Sequence, residues 1–88
     1  MTNSPSVRIR LRTQQLGVLL REVLEKRLPE FTAVLLNDHE AQVSREVLGR
    51  IQDAIGDELC ETGIGPDSEP NARGLQLEEL IDAFAPHR

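Results

Sequence analysis

Residues 7–24 read VRIRLRTQQLGVLLREVL, and the fold turns on where their period changes. VRIRLR, residues 7–12, alternates an apolar residue with arginine without a break, the period-two signature of a strand. From Thr13 onward the apolar positions are Leu16, Leu19, Leu20, Val23 and Leu24, the i, i+3, i+4, i+7, i+8 spacing of one helical stripe. Thr13 supplies a capping hydroxyl and Pro29 a stop. Extending the helix back to Ser4 and Pro5 would leave Arg12 and Thr13 interrupting the stripe, so residues 7–12 are expected as a strand.

FTAVLL, residues 31–36, is too short for its period to choose between a buried strand and a turn or two of helix. A second long helix is expected beyond it, capped by Asn37 or Asp38, carrying Val47, Leu48, Ile51, Ala54, Ile55 and Leu59 on its seam, and stopped by Gly63 or Gly65. Leu77, Leu80, Ile81 and Phe84 mark a last helix that Pro86 closes. The expected fold is therefore mainly α: three helices with a short N-terminal strand. The alternative is α+β with residues 7–12 and 31–36 both as strands, joined by a parallel crossover through the first helix. Two strands alone are marginal, so that version implies a dimer.

The chain has 88 residues, enough for one domain, and a chain of this size buries roughly 60–65% of its unfolded surface. Residues 7–86 are expected to form it, between a disordered tail at 1–6 and a short tail at 87–88. Phe31 and Phe84 are the only aromatic residues, so folding rests on aliphatic packing. The single Cys60 excludes an internal disulfide and a multi-cysteine zinc site. No apolar run has the length of a signal or membrane segment, and a cytoplasmic protein is expected.

Net charge is −5, unevenly placed: residues 1–28 sum to +4 and the remainder to −9. Such asymmetry accompanies either a basic arm that binds nucleic acid or two halves that attract each other within one fold.

The polar stretch GPDSEPNARGLQLE, residues 65–78, offers candidate chemistry that its spacing withdraws. With Asp67 as position 1, Glu69, Asn71 and Glu78 fall at positions 3, 5 and 12 of a helix-loop-helix calcium site. Position 6, which needs glycine, is Ala72, and Pro70 stiffens the middle. Asp67-Ser68 resembles the Asp-Ser at which acyl carrier proteins bear their prosthetic arm, but the resemblance covers two residues and Pro70 follows. A turn into the last helix is expected instead.

His39-Glu40 begins half of an H-E-x-x-H zinc helix, whose second histidine is replaced by Val43. Cys60 lies beside Glu58 and Glu61, whose charge disfavours a thiolate, and is expected as a half-buried inert thiol. No convergent catalytic set, cofactor site or metal site is assembled, and the chain is expected not to be an enzyme.

VRIRLR followed by two helices resembles the ribbon-helix-helix DNA-binding proteins over roughly residues 7–55. The resemblance implies a dimer that pairs one strand from each subunit and presents Arg8, Arg10 and Arg12 to the major groove. The preferred expectation is different: a small acidic non-enzymatic interaction module of the immunity, antitoxin or adaptor kind. Glu46, Asp53, Asp57, Glu61, Glu78, Glu79 and Asp82 would cover a basic surface on another protein. Val7, Ile9, Leu11, Phe31, Leu35 and Leu36 on short elements further suggest a homodimer that buries them.

Overall fold

The computed structural model describes residues 6–87; the expected tail residues 1–5 and 88 lie outside them. The alternating stretch forms strand β1 (Ser6–Arg10), with Val7 and Ile9 turned inward and Arg8 and Arg10 outward. Thr13 then caps helix α1 (Gln14–Arg27), its hydroxyl accepting from Leu16 N at 3.2 Å. Leu28 ends the helix, and Pro29 opens a 3-10 segment, Pro29–Val34. The ambiguous FTAVLL therefore divides: Phe31–Val34 continue the 3-10 segment, and Leu35 begins the short strand β2 (Leu35–Asn37).

The chain next departs from the expected second helix. Asn37 and Asp38 cap nothing; they open a hairpin, in which Asn37 Oδ1 accepts from His39 N at 2.7 Å and the chain returns as strand β3 (Glu40–Ser44). Such an Asx contact is what lets asparagine hold a tight turn. Ala41 and Val43 face the core while Gln42 is exposed, a period-two pattern that five residues display too briefly to be distinguished from helix by sequence. The helix α2 (Arg45–Thr62) starts where Ser44 Oγ accepts from Val47 N at 3.2 Å.

β3 lies between β1 and β2 and is antiparallel to both. The alternative two-strand crossover version is corrected accordingly: residues 31–34 are not strand, a third strand completes a small sheet within one chain, and the argument that two lone strands require a dimer lapses. The architecture is mainly α with a three-stranded antiparallel sheet.

α2 ends at Gly63, as expected, and after the polar loop α3 (Ala72–Phe84) begins under an Asn71 cap, followed by a 3-10 turn at Ala85–His87. One apolar cluster draws on every layer: Ile9 and Leu11 from the first strand and its exit, the α1 stripe, Ala41 and Val43, Leu48, Ile51 and Ile55 of α2, and Leu77, Leu80 and Phe84 of α3. Ile9 and Leu11 are thus covered within the chain, and Val7, Phe31 and Leu35 are half-buried. Of the six apolar residues assigned to a dimer contact, only Leu36 is exposed.

Candidate functional site

α1 ends in Lys26-Arg27, whose positive charge suits the C-terminal end of a helix. α2 brings Glu58 and Glu61 alongside, and α3 contributes Arg73 from its first turn. Glu58 is only 1% exposed. Its Oε1 accepts from Lys26 Nζ and Arg27 Nε, both at 2.9 Å, and its Oε2 from Arg73 Nη2 at 3.0 Å. The Thr62 hydroxyl lies 3.0 Å from both Glu58 Oε2 and Glu58 O, so it donates to one of them, and it accepts from Arg73 Nε at 3.0 Å. Glu61 bonds Lys26 and Arg27, and Glu22 bonds Arg73 at 3.1 Å.

Three cations thus meet three carboxylates, one of them buried. Burial pushes the Glu58 carboxyl up, but hydrogen bonds from Lys26, Arg73, Arg27 and Thr62 outweigh it and hold the group at about 2. Hydrogen bonds from Lys26 and Arg27 likewise lower Glu61, and bonds to Glu58 and Glu61 raise Lys26 and Arg27. A carboxylate so fully bonded neither gives nor takes a proton near neutrality; the cluster clamps three helices together.

The seven carboxylates assigned to a partner do not form one face. Glu61 is taken up by the clamp. Asp53 and Asp57, one turn apart and exposed, border a hollow of about 440 Å³ with Lys26, Arg27 and Arg50. Arg50 itself lies over the Phe31 ring at 5.0 Å. Glu46 is exposed in the first turn of α2, where the helix dipole favours it. Glu78, Glu79 and Asp82 stay together on α3, Glu78 half-buried with an unpartnered Oε1. Leu75 stands on the same stripe, 58% exposed.

Arg8, Arg10 and Arg12 are all exposed. Arg8 Nη1 lies 3.8 Å from Glu40 Oε2, whereas Arg10 and Arg12 make no ion pair among the described residues. They do border a hollow of about 190 Å³ with Glu79 and Asp82, which brings the basic and acidic parts of the chain side by side. β1 pairs with β3 of its own chain, and two strands separate α1 from α2, an order that the ribbon-helix-helix arrangement lacks.

The polar loop is a turn. Gly65 N donates to Glu69 O, Asn71 N to Gly63 O, and Asp67 Oδ1 accepts from Glu69 N. Ser68 takes a positive φ of 66°, and its neighbours' polar groups serve the loop's own backbone. Among the described residues no group of three His, Cys, Asp or Glu side chains is placed to hold a metal ion. His39 is exposed in the hairpin rather than at a helix start. Cys60 is exposed, contrary to the half-buried position expected; Glu58 occupies the buried side of that turn.

No helix among the described residues is long and apolar enough to cross a membrane. Comparison with protein-family models, curated proteins and solved structures gives no match.

Proposed function

We propose that this chain is a small non-enzymatic protein-interaction module of the immunity, antitoxin or adaptor kind, covering a basic surface of a partner with α3. The carrying observation is Leu75, more than half exposed and followed at i+4 and i+7 by the exposed Glu79 and Asp82. That spacing aligns the three on one helical stripe. An apolar side chain rimmed by carboxylates fits a basic surface with a central apolar dimple, the arrangement in which a buried anchor supplies affinity and the charged rim supplies steering. The net charge of −5 favours the same partner.

Tagged protein should recover one stoichiometric partner from native lysate. Leu75→Ala and the double variant Glu79→Lys/Asp82→Lys should each release it, the second with a steeper loss on added salt. Recovery of chaperones alone, or retention of the partner by both variants, overturns the proposal. A second reading, duplex DNA binding through Arg8, Arg10 and Arg12, is favoured by the exposure of all three. It requires retardation of duplex DNA at low salt that Arg10→Ala abolishes.

A further inference from the structure

Among the described residues β1 is an edge strand, since β3 covers only one of its sides. The register shows what its other side offers. Leu11 N donates to His39 O at 2.7 Å, which places Val7, Ile9 and Leu11 on the bonded rungs opposite Val43, Ala41 and His39. In an antiparallel ladder these rungs alternate with residues whose N–H and C=O point the opposite way. Arg8 and Arg10 are those residues, and no cross-element backbone bond among the described residues reaches them. The same two residues are exposed, alternating with the inward Val7 and Ile9, and Arg12 continues the line as exposed positive charge. Arg8 Nη1 lies 3.8 Å from Glu40 Oε2, and Arg10 and Arg12 border a hollow with Glu79 and Asp82.

We propose that this edge is a docking site for an acidic, extended peptide segment of a partner protein, added as a fourth strand beside β1. The incoming strand would exchange backbone hydrogen bonds with Arg8 and Arg10, and its residues opposite them would share the sheet's solvent face. Carboxylates at alternate positions would therefore stand directly across from two guanidinium groups, the favourable cross-strand pairing. Charge selects this occupant over a second copy of the chain. An antiparallel β1–β1 pairing would set the arginines of one copy against those of the other, and outward charge on an edge is a common block to self-pairing. A segment of opposite charge turns that block into recognition. This edge adjoins the α3 stripe, since Arg10 and Arg12 border one hollow with Glu79 and Asp82; the backbone groups of Arg8 and Arg10, not those carboxylates, would hold the incoming strand.

The test uses the full chain, isotopically labelled, and an eight-residue peptide of alternating glutamate and valine. Binding should slow amide exchange at Arg8 and Arg10 while Ile9, already bonded to β3, changes little. Methylating alternate backbone nitrogens of the peptide should abolish the protection. Arg8→Glu/Arg10→Glu should weaken binding about tenfold and accept a lysine–valine peptide in its place. Folding of this exposed variant is checked by its unchanged core methyl resonances. Absence of protection at Arg8 and Arg10 overturns strand addition, as does binding indifferent to backbone methylation, which would reduce it to charge attraction. A 20-base-pair duplex that displaces the peptide at physiological salt overturns the choice of a peptide and assigns the arginines to nucleic acid.

Discussion

Arg73 Nη2 lies 3.0 Å from Glu58 Oε2, joining the first turn of α3 to the last turns of α2 around a carboxylate that water does not reach. Lys26 and Arg27 approach the other oxygen from α1. Removing Glu58 would leave three cations facing one another with only Glu22 and Glu61 to balance them. A broken buried pair costs several kcal/mol, but these cations keep partial access to solvent, which screens the repulsion. Glu58→Ala should therefore lower stability by about 2 kcal/mol in urea denaturation, whereas Glu22→Ala, on the exposed rim of the same network, should cost less than about 1 kcal/mol.

The same carboxylate sets an acid limit. Its folded pKa, about 2, lies below the ordinary value of 4.5, so below 4.5 the unfolded chain binds a proton that the folded chain refuses. The contribution of Glu58 to stability is complete above that value and declines as pH falls toward 2. Thermal melts between pH 5 and 2 should show the wild type losing stability more steeply than Glu58→Gln. Parallel curves for the two proteins would show that the clamp does not carry the acid transition.

Glu58 was also the least legible residue of the chain. It sits three and seven residues beyond Ile55 and Ile51, on the buried stripe of α2, where a lone carboxylate is the available signal of a buried ion pair. Leu59 beside it satisfies the same helical spacing and attracts the seam assignment. The partner Arg73 belongs to a loop-like stretch of sequence, and nothing in a single chain reports that α3 returns to this point. By contrast, most of VRIRLR was legible as strand because its alternation runs unbroken, although β1 ends at Arg10. Thr13 was legible because capping chemistry is local, and Gly63 was one of the two stops that the sequence offered. β3 was hidden because Ala41, Val43 and Val47 suit either period; the sheet order β1-β3-β2, and with it the position of β1 at the end of that order, was hidden with it.

Asn71 is a test of how the polar loop folds the last helix back. Its Oδ1 accepts from Gly74 N at 2.8 Å as the cap of α3, its Nδ2 donates to Thr62 O at 3.0 Å, and its backbone N donates to Gly63 O at 2.9 Å. Asn71→Ala removes the cap and leaves the end of α2 short of a donor, a loss of about 1–2 kcal/mol. Asn71→Asp retains the capping oxygen but sets a carboxylate against the Thr62 carbonyl. Chemical denaturation should rank the three proteins wild type, Asp, Ala in falling stability.

The glycines separate close backbone approach from mere helix weakness. A Cβ on Gly74 would fall 2.0 Å from Gly63 O, and one on Gly17 would fall 1.9 Å from Asp38 O, where α1 meets the hairpin turn. Neither obstacle is a side chain that can rotate aside; the backbone itself must move. Gly74→Ala and Gly17→Ala should each cost about 1–3 kcal/mol, the range for inserting a methyl into a closed contact. The sites of damage should differ. Hydrogen exchange should quicken around Gly63 and the start of α3 in the first variant, and around Asp38 and β2–β3 in the second. Gly49, within α2, has nothing within 4 Å of a built Cβ, so Gly49→Ala relieves only the conformational freedom of a mid-helix glycine and should raise stability by about 0.5–1 kcal/mol. Equal destabilisation by all three substitutions would mean that helix packing, not backbone approach at Gly17 and Gly74, governs these positions.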